Sequence, residues 1–414
     1  MDKMNIMKDS GIEWIGELPK HWNLQQIATL YQVINQKVSD KDFPPLSVTM
    51  KGIVPQLETA AKTNDGDNRK LVRVGDFAIN SRSDRRGSCG ISSYDGSVSL
   101  INTVLTPKGE MNPKYYNWLF HTVQFADEYY KCGHGIVDDL WTTTWQEMKR
   151  ITIPTPPIDE QKAIAEFLDK KCEEVDGLIA DIQMQINTLE QYKRSTITEA
   201  VTKGLNSTAE MKDCELEWAS KIPTHWEVVP NKYLMAKKKI IQPIYKGEDI
   251  LSLTVNGVIK RDLENPSGKM PTSFDGYQVV YPNNLLMCLF DIDVTPRCVG
   301  VVKDYGLTSP AYSQFILNEK ADTNYYYYYY LSLDFTKELL HLAKNQRHSL
   351  NEEQFGAIKA VVPPIDEQEA IAEYLDKKCA EIDACIEEKK SEISVLETYK
   401  KSIIFEYVTG KKEV

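Results

Sequence analysis

The chain has 414 residues, of which 42% are hydrophobic and 26% are charged, and its formal net charge is −11. This length allows two to four domains, and the acidic balance argues against a surface that coats nucleic acid everywhere. No apolar run approaches the length of a membrane span, MDKMNIMKDSGIEW at the start contains no hydrophobic signal region, and none of the eight cysteines forms a C-x-x-C pair. These features predict a protein of the reducing cytoplasm without a membrane segment.

The first block, residues 1–153, contains strand-like apolar runs separated by turn residues. They are PPLSVTMKGIV from Pro44, VGDFAIN from Val74 and GSVSLINTVLT from Gly96. Pro, Gly, Asn and Asp between such runs are typical of short strands in a mixed or β-rich domain.

A long helix is predicted next, from Ile158 to Thr202 within residues 154–205. Pro156-Pro157 end the preceding strand, acidic side chains favour the first turn, and Gly204 follows the last turn. The apolar residues then recur at alternating steps of three and four, which predicts a coiled-coil seam. Its members are Leu168, Cys172, Val175, Ile179, Ile182, Ile186 and Leu189.

The second half of the chain repeats the first. MKDSGIEWIGELPKHW from Met7 returns as MKDCELEWASKIPTHW from Met211, and PPIDEQKAIAEFLDKKCEEVD from Pro156 returns as PPIDEQEAIAEYLDKKCAEID from Pro363. We therefore predict a second block over residues 206–360 and a second long helix over 361–414. The second seam is interrupted at Lys389 and consists of Leu375, Cys379, Ile382, Ile386, Ile393 and Leu396.

Two helices with narrow apolar seams must bury them, and the internal repeat favours burial against each other. The predicted fold class is α+β: two globular α/β domains separated by two long helices that form an antiparallel coiled coil with pseudo-twofold symmetry. The alternative is that each helix packs on its own block. Cys172 and Cys379 occupy equivalent seam positions and are expected to be small core residues.

The sequence contains no motif that indicates catalysis. There is no G-x-x-x-x-G-K-[ST] phosphate loop, no G-x-G-x-x-G after a strand, and no histidine near a carboxylate at metal-ligand spacing in the sequence. Cys132 and His134 could form half of a metal site, but no second pair accompanies them. His21 and His225, each followed by tryptophan, are expected to support a turn rather than bind metal. We predict no catalysis, cofactor or metal on this chain.

Basic residues in loops are the candidates for nucleic-acid contacts, since guanidinium and ammonium groups bind phosphates and guanine edges. NSRSDRRGSCG in the first block, and DIDVTPRCVG at the equivalent place in the second, are such loops. An ordinary solvated loop is the alternative. The candidates are Lys51, Arg69, Lys70, Arg73, Arg82, Arg85, Arg86, Lys260, Arg261, Lys269, Arg297 and Arg347.

The six consecutive tyrosines from Tyr325 to Tyr330 allow two interpretations. Aromatic side chains can stack on single-stranded bases. However, the run aligns with KYYNWLF from Lys114, which has the pattern of a helix packed on a domain core. We therefore favour a core helix.

The repeated motifs resemble those of the specificity subunits of Type I restriction-modification systems. The residues that carry the resemblance are EWIGELPKHW and EWASKIPTHW, the two PPIDEQ-x-AIAE-[FY]-LDKKC segments, and the helix ends YKRSTITEAVTKG and YKKSIIFEYVTGK. Together they occur in both blocks and both helices. The resemblance is therefore to nearly the whole chain.

The resemblance implies that each block recognises one half of an asymmetric two-part site in double-stranded DNA. The helices would set the spacing and dock two modification subunits, which methylate adenine with S-adenosylmethionine. Restriction subunits that use ATP and Mg would complete the nuclease. The alternatives are a self-contained enzyme, such as a fused nuclease, and a scaffold that pairs helices with other proteins without touching DNA.

Overall fold

The computed structural model describes residues 6–58, 65–135, 141–266, 268, 271–343 and 348–414. The chain forms two compact units. Unit 1 consists of Met1–Ile182 with Lys390–Val414, and unit 2 consists of Gln183–Lys389. Each unit contains one globular block and a part of both long helices. Among the described residues, no helix is both long enough and apolar enough to cross a membrane.

The block of unit 1 is built from short strands and four short helices among its described residues. The helices are α1 (Ile27–Leu30), α2 (Pro113–Phe120), α3 (Val123–Lys131) and α4 (Trp145–Met148). The strands are β1 (Met7–Asp9), β2 (Glu17–Pro19), β3 (Asn23–Gln26), β4 (Tyr31–Ile34), β5 (Lys37–Val38), β6 (Leu46–Thr49), β7 (Gly52–Pro55), β8 (Arg69–Val72), β9 (Phe77–Asn80), β10 (Cys89–Ile91), β11 (Gly96–Val98), β12 (Asn102–Pro107) and β13 (Thr152–Thr155).

The central sheet of unit 1 is antiparallel and has the strand order β10-β9-β12-β4. A second sheet has the order β11-β8-β5, and β6 and β7 form a hairpin. The last strand of the block, β13, pairs with β3 near its beginning. This pairing brings the start of the block to the start of the following long helix.

Unit 2 contains a matching set of elements. The long helix α5 (Ile158–Lys203) precedes its block, and α9 (Ile365–Val408) follows it. The short helices are α6 (Thr323–Phe335), α7 (Glu338–Leu342) and α8 (Glu352–Ala357). The strands are β14 (Met211–Leu216), β15 (Ala219–Pro223), β16 (Glu227–Pro230), β17 (Met235–Lys238), β18 (Leu251–Thr254), β19 (Gly257–Lys260), β20 (Gln278–Val280), β21 (Leu285–Met287), β22 (Val299–Val301), β23 (Gly306–Thr308), β24 (Ser313–Leu317) and β25 (Lys359–Val362).

The sheets of unit 2 repeat the pairing of unit 1 with one difference, since the second sheet has two strands, β20 and β23, where that of unit 1 has three. The central sheet has the order β22-β21-β24-β17, which corresponds strand by strand to β10-β9-β12-β4. The β18–β19 hairpin corresponds to β6–β7, and β16 pairs with β25 as β3 pairs with β13. The two blocks therefore share one topology.

Two of the predicted strand runs each form two strands. The run from Pro44 folds into the β6–β7 hairpin, and the run from Gly96 contains β11 and β12. In the first run, Thr49 pairs with Gly52, whose φ of 105° suits glycine and turns the chain sharply. The predicted apolar segments were right, but the turns inside them were missed.

The predicted antiparallel pairing of the long helices is confirmed within each unit. In unit 1 the Phe167 and Tyr407 rings lie 4.4 Å apart, and the Lys400 Nζ lies 2.6 Å from Asp176. As the residue number rises along α5, from 167 to 176, the number of the contacting residue on α9 falls from 407 to 400, so the two helices are antiparallel. In unit 2, Lys193 lies 2.6 Å from Asp383, which is the repeat-equivalent ion pair.

The seam residues of both helices are buried or half-buried. Lys389, the predicted interruption, donates to the Gln185 side chain at 2.5 Å. The first seam residues also belong to the cores of the blocks: Leu168 and Cys172 in unit 1, and Leu375 and Cys379 in unit 2. Each helix therefore packs on its own block at its start and pairs with the other helix further along.

Candidate nucleic-acid interface

A network of hydrogen bonds attaches each block to the start of the helix that follows it. In unit 1, the Trp22 indole N–H donates to one Glu160 carboxylate oxygen at 2.8 Å, and His21 Nε2 lies 2.8 Å from the other. Gln161 accepts from the Asn112 backbone N–H, and Asn112 caps α2. We call these residues clamp 1. They explain why tryptophan and the Glu-Gln pair occur together in the sequence.

Unit 2 contains the same arrangement, clamp 2. The Trp226 indole donates to Glu367 at 2.9 Å, His225 lies 2.7 Å from the same carboxylate, and Gln368 accepts from the Asp322 N–H, the cap of α6. The prediction that these histidines support a turn agrees with this geometry. These histidine–glutamate pairs join residues 139 and 142 positions apart, so no local spacing in the sequence could indicate them.

The other end of each long helix is attached to the block by a tyrosine. The Tyr115 hydroxyl donates to the Val408 carbonyl at 2.7 Å, and the Tyr325 hydroxyl donates to the Val201 carbonyl at 2.9 Å. Burial raises the pKa of both tyrosines, which keeps the hydroxyls protonated as donors. The most strongly repeated residues therefore join each block to the long helices.

The tyrosine run forms α6 and is a core element. Tyr325, Tyr326 and Tyr329 are fully buried, and Tyr328 and Tyr330 are nearly so. Four of these hydroxyls donate to groups inside unit 2, as Tyr326 does to the Val361 carbonyl at 3.1 Å, and the Tyr329 hydroxyl accepts from the Trp218 indole N–H at 2.8 Å. This confirms the core interpretation and removes the run from the candidate stacking surfaces.

The loop between β9 and β10, residues 81–88, is the most cationic exposed segment among the candidates. We call it the arginine loop. Arg82, Arg85 and Arg86 are exposed on it. Arg86 binds Asp127 at 2.8 Å and its guanidinium lies 5.4 Å from the centre of the Tyr130 ring. The loop is thus partly ordered by its neighbours while its charges stay accessible.

A cavity of about 850 Å³ adjoins the arginine loop. Asp127, Tyr130 and Trp141 line it together with Arg86, and the Trp141 indole donates to the Tyr130 carbonyl at 2.7 Å. Sequence reasoning missed these three residues. They lie 41 or more positions from Arg86, and no local pattern joins them to it.

Arg69 and Lys70 point into the protein rather than toward solvent. Arg69 is 3% exposed and its guanidinium donates to the Ser97 hydroxyl and carbonyl, while Lys70 donates to the Asn102 carbonyl at 2.6 Å. Burial lowers the pKa of both groups. In this conformation both side chains are used to join β8 to its neighbours.

The remaining candidates of unit 1 lie apart from one another. Arg73 is exposed in the turn before β9, whereas Arg82 follows β9, so they lie at opposite ends of that strand. A four-residue strand separates its ends by about 13 Å. Lys51 is exposed at the tip of the β6–β7 hairpin.

In unit 2 the candidates are held by acidic and aromatic partners. Lys260 lies 2.6 Å from Asp249, and Arg297 donates to the Tyr327 hydroxyl at 3.2 Å. Arg297 lies between β21 and β22, so its loop is the structural equivalent of the arginine loop. Arg261 is half-buried at the end of β19. Lys269 and Arg347 lie outside the described residues.

Within the described ranges, no group of three or more His, Cys, Asp or Glu side chains is arranged around a common point. His134, the half-site candidate, lies 3.6 Å from Glu147, and Cys132 is half-buried.

A family model described as "Type I restriction modification DNA specificity domain" matches residues 19–188 and 301–395. These ranges include parts of both blocks and of both long helices.

Two curated proteins of Methanocaldococcus jannaschii are similar along almost their whole length. One, "Type I restriction enzyme MjaVIII specificity subunit", is 27% identical over 96% of this chain and 94% of that protein. The other, "Putative type I restriction enzyme MjaX specificity subunit", is 24% identical over 97% of this chain and 96% of that protein.

Among solved structures, a chain from a study of complex assembly and conformational transition of the type I R-M system has a similar fold. Its TM-score is 0.70 at 12% sequence identity, and the match covers 95% of this chain and 99% of that chain. At this identity the likeness concerns the fold.

Proposed function

Since the chain belongs to the Type I restriction modification DNA specificity domain family, we propose that it is the DNA specificity subunit of a Type I restriction-modification complex. Its role is to select the DNA sequence on which the complex acts. The chemistry belongs to its partners.

The observation that carries this proposal is the repetition of one topology with different loops. The central sheets of both blocks have the same strand order, and clamps 1 and 2 attach the blocks to the helices through equivalent residues. The loops differ: Arg82, Arg85 and Arg86 in unit 1 are replaced by a loop with Arg297 in unit 2. Two such blocks are suited to recognise two different half-sites of one asymmetric DNA sequence.

The long helices have a separate role in this proposal. Helices α5 and α9 are continuous over 46 and 44 residues, and each contributes to both units. Their length sets the number of unspecified base pairs between the half-sites, as the geometry of dimeric DNA-binding proteins sets operator spacing. Their exposed faces dock the modification subunits.

The proposed complex contains two modification subunits per specificity chain, together with restriction subunits. S-adenosylmethionine is bound by the modification subunits, and ATP and Mg by the restriction subunits. We place the complex in the cytoplasm. The names of the two relatives support only the role of this chain as the specificity subunit.

The test is to co-express the chain with its modification subunit and to map methylated adenines by single-molecule sequencing. We expect one two-part motif with a constant gap, and no methylation by either subunit alone. Methylation or cleavage by the purified chain alone would contradict the non-catalytic role.

The same preparation separates DNA recognition from scaffolding. A duplex that contains the mapped motif should bind the complex better than a duplex of the same length with both half-sites scrambled. Equal binding of the two duplexes would favour a scaffold that contacts no base.

A further inference from the structure

Each block carries a β-hairpin whose tip is exposed. The first tip is Met50 and Lys51, between β6 and β7, and the second is Val255 and Asn256, between β18 and β19. We propose that these two tips enter the major groove of double-stranded DNA and contact base edges, so that they determine part of each half-site. The proposal rests on the proposed function and names residues for it.

The two tips have the same backbone geometry. In the first, the Thr49 hydroxyl donates to the Gly52 carbonyl at 2.9 Å and accepts from the Lys51 N–H at 3.1 Å. In the second, Thr254 makes the same two bonds to Gly257 and Asn256, at 3.0 and 3.1 Å. A local network of this kind holds the tip residues in one conformation.

Close packing holds each hairpin against the central sheet near its tip. A Cβ atom on Gly90, in β10, would lie 2.8 Å from the Gly52 Cα. A Cβ atom on Gly300, the equivalent residue of β22, would lie 2.8 Å from Leu253 Cδ1. Because only glycine allows this approach, the sheet determines where each tip is, and contacts on rigid elements are the more selective ones.

All four tip side chains are exposed. Met50 is 70% exposed and Val255 is 53% exposed. A single exposed hydrophobic residue needs no explanation. Here, however, apolar residues stand exposed at equivalent positions of two blocks whose loops otherwise differ, which indicates a contact made outside the chain.

The surroundings indicate that the partner is DNA. Gly90, which touches the first hairpin, lies two residues after Ser88, the last residue of the arginine loop. In unit 2, a cavity of about 300 Å³ is lined by Thr254 and Val255 of the tip and by Arg297 of the equivalent loop. In unit 1 the tip therefore lies near a loop with a net positive charge. In unit 2 it lies beside Arg297, in a loop that also contains Asp291 and Asp293. Arginine side chains hold phosphates while neighbouring side chains reach the bases.

The chemistry of the two tips differs in a way that suits different half-sites. Lys51 can donate to guanine O6 and N7, whereas Asn256 can bond adenine N6 and N7. Met50 and Val255 can both contact a thymine methyl group. The two hairpins thus have the same backbone conformation but carry different base-contacting side chains.

The experiment exchanges one tip for the other in the complex with the modification subunits. The variant Met50→Val with Lys51→Asn gives unit 1 the tip of unit 2, and it keeps Thr49 and Gly52. We expect at least one base of one half-site to change or become degenerate in the methylation map. The other half-site and the gap should stay the same, and affinity for the original duplex should fall roughly 5- to 150-fold.

Val74→Ala is the matched control. Val74 is an exposed apolar residue, 64% exposed, in the turn at the opposite end of β9 from the arginine loop. This variant should leave the motif and the affinity unchanged. The reciprocal variant, Val255→Met with Asn256→Lys, should alter the other half-site, and it replaces the first variant if that one does not assemble.

Two outcomes would overturn the inference. One is an unchanged motif with unchanged affinity in the assembled tip variants. The other is equal weakening on all DNA sequences, which would assign the tips to the phosphate backbone. If the wild-type complex methylates no two-part motif, the proposed function fails instead.

Discussion

Glu160 illustrates how one residue joins two parts of the fold. Its carboxylate accepts from Trp22 and lies within hydrogen-bond distance of His21, and it sits in the first turn of α5. A carboxylate is favourable there because the N-terminus of a helix carries partial positive charge. The side chain therefore stabilises the helix start and also holds the block against it.

Removing this carboxylate should destabilise unit 1. In Glu160→Ala the Trp22 indole N–H, on a side chain that is 2% exposed, loses its acceptor. An unpaired buried donor costs about 1–3 kcal/mol. We expect faster hydrogen exchange, measured by mass spectrometry, in peptides of unit 1, with little change in unit 2.

The matched variants of this test are Glu173→Ala and Glu367→Ala. Glu173 is exposed on the same helix, so its loss should leave exchange unchanged within about 0.5 kcal/mol. Glu367→Ala should move the effect to unit 2, since clamp 2 has the same bonds. Equal exchange in wild type and Glu160→Ala would show that the clamp contributes nothing to stability.

Charge in the sequence was a poor guide to which cations face solvent. Arg69 and Lys70 look like members of one basic cluster with Arg82, yet their side chains are bonded to Ser97 and Asn102. Those partners lie about 30 residues further along the chain, on β11 and β12, so no local pattern could identify them. The glycine and threonine beside each hairpin tip can be read from the sequence. That the hairpins pack against the central sheet cannot, because the packing depends on Gly90 and Gly300, which are distant in the chain.

At the scale of elements, the long helices were predicted well because their signals are local. The Pro-Pro dipeptides, the acidic first turns and the final glycines mark their ends, and α5 runs from Ile158 to Lys203 against a predicted end at Thr202. Strands depend on partners far along the chain. For that reason the apolar pattern did not reveal the turn within the run from Pro44 or the break within the run from Gly96.

Gly177 offers a test of helix stability. It is exposed in the interior of α5, nothing lies within 4 Å of a Cβ added there, and the equivalent residue of α9 is Ala384. Glycine in a helix interior costs about 0.5–1 kcal/mol relative to alanine. Gly177→Ala should therefore raise the midpoint of chemical unfolding followed by circular dichroism.

The reverse change is the control for this prediction. Ala384→Gly should lower the unfolding midpoint by a similar amount, because the two sites are equivalent in the repeat. A lower midpoint for Gly177→Ala would contradict the prediction. It would mean that another group packs closely against Gly177 in solution.

At the scale of the whole molecule, the repeat predicted two blocks and two helices, and the family match agrees with this. The predicted domain boundaries, 1–153, 154–205, 206–360 and 361–414, remain predictions. The compact units divide the chain differently, within α5 and α9. A repeat in sequence identifies what is duplicated. It does not show which part of one copy packs with which part of the other.

The proposed spacer role can be tested by lengthening both helices together. Inserting seven residues after Ile182 and seven after Lys389 preserves the seam, since seven residues are one heptad. Each helix becomes about 10.5 Å longer. At about 3.4 Å per base pair, the gap in the methylated motif should grow by about three base pairs, with both half-sites unchanged.

Insertions of four residues at the same places are the control, because they shift the seam out of register and should impair assembly or methylation. An unchanged gap in the active seven-residue variant would show that the helices do not set the spacing.

The division into units also determines when each part of the protein can become complete during synthesis. Unit 2 is one continuous stretch, Gln183–Lys389, whereas unit 1 needs Lys390–Val414 as well. Until those residues leave the ribosome, Tyr115 lacks the Val408 carbonyl and the core of unit 1 lacks Ile404. The half of the protein that is translated first is therefore the half that finishes folding last.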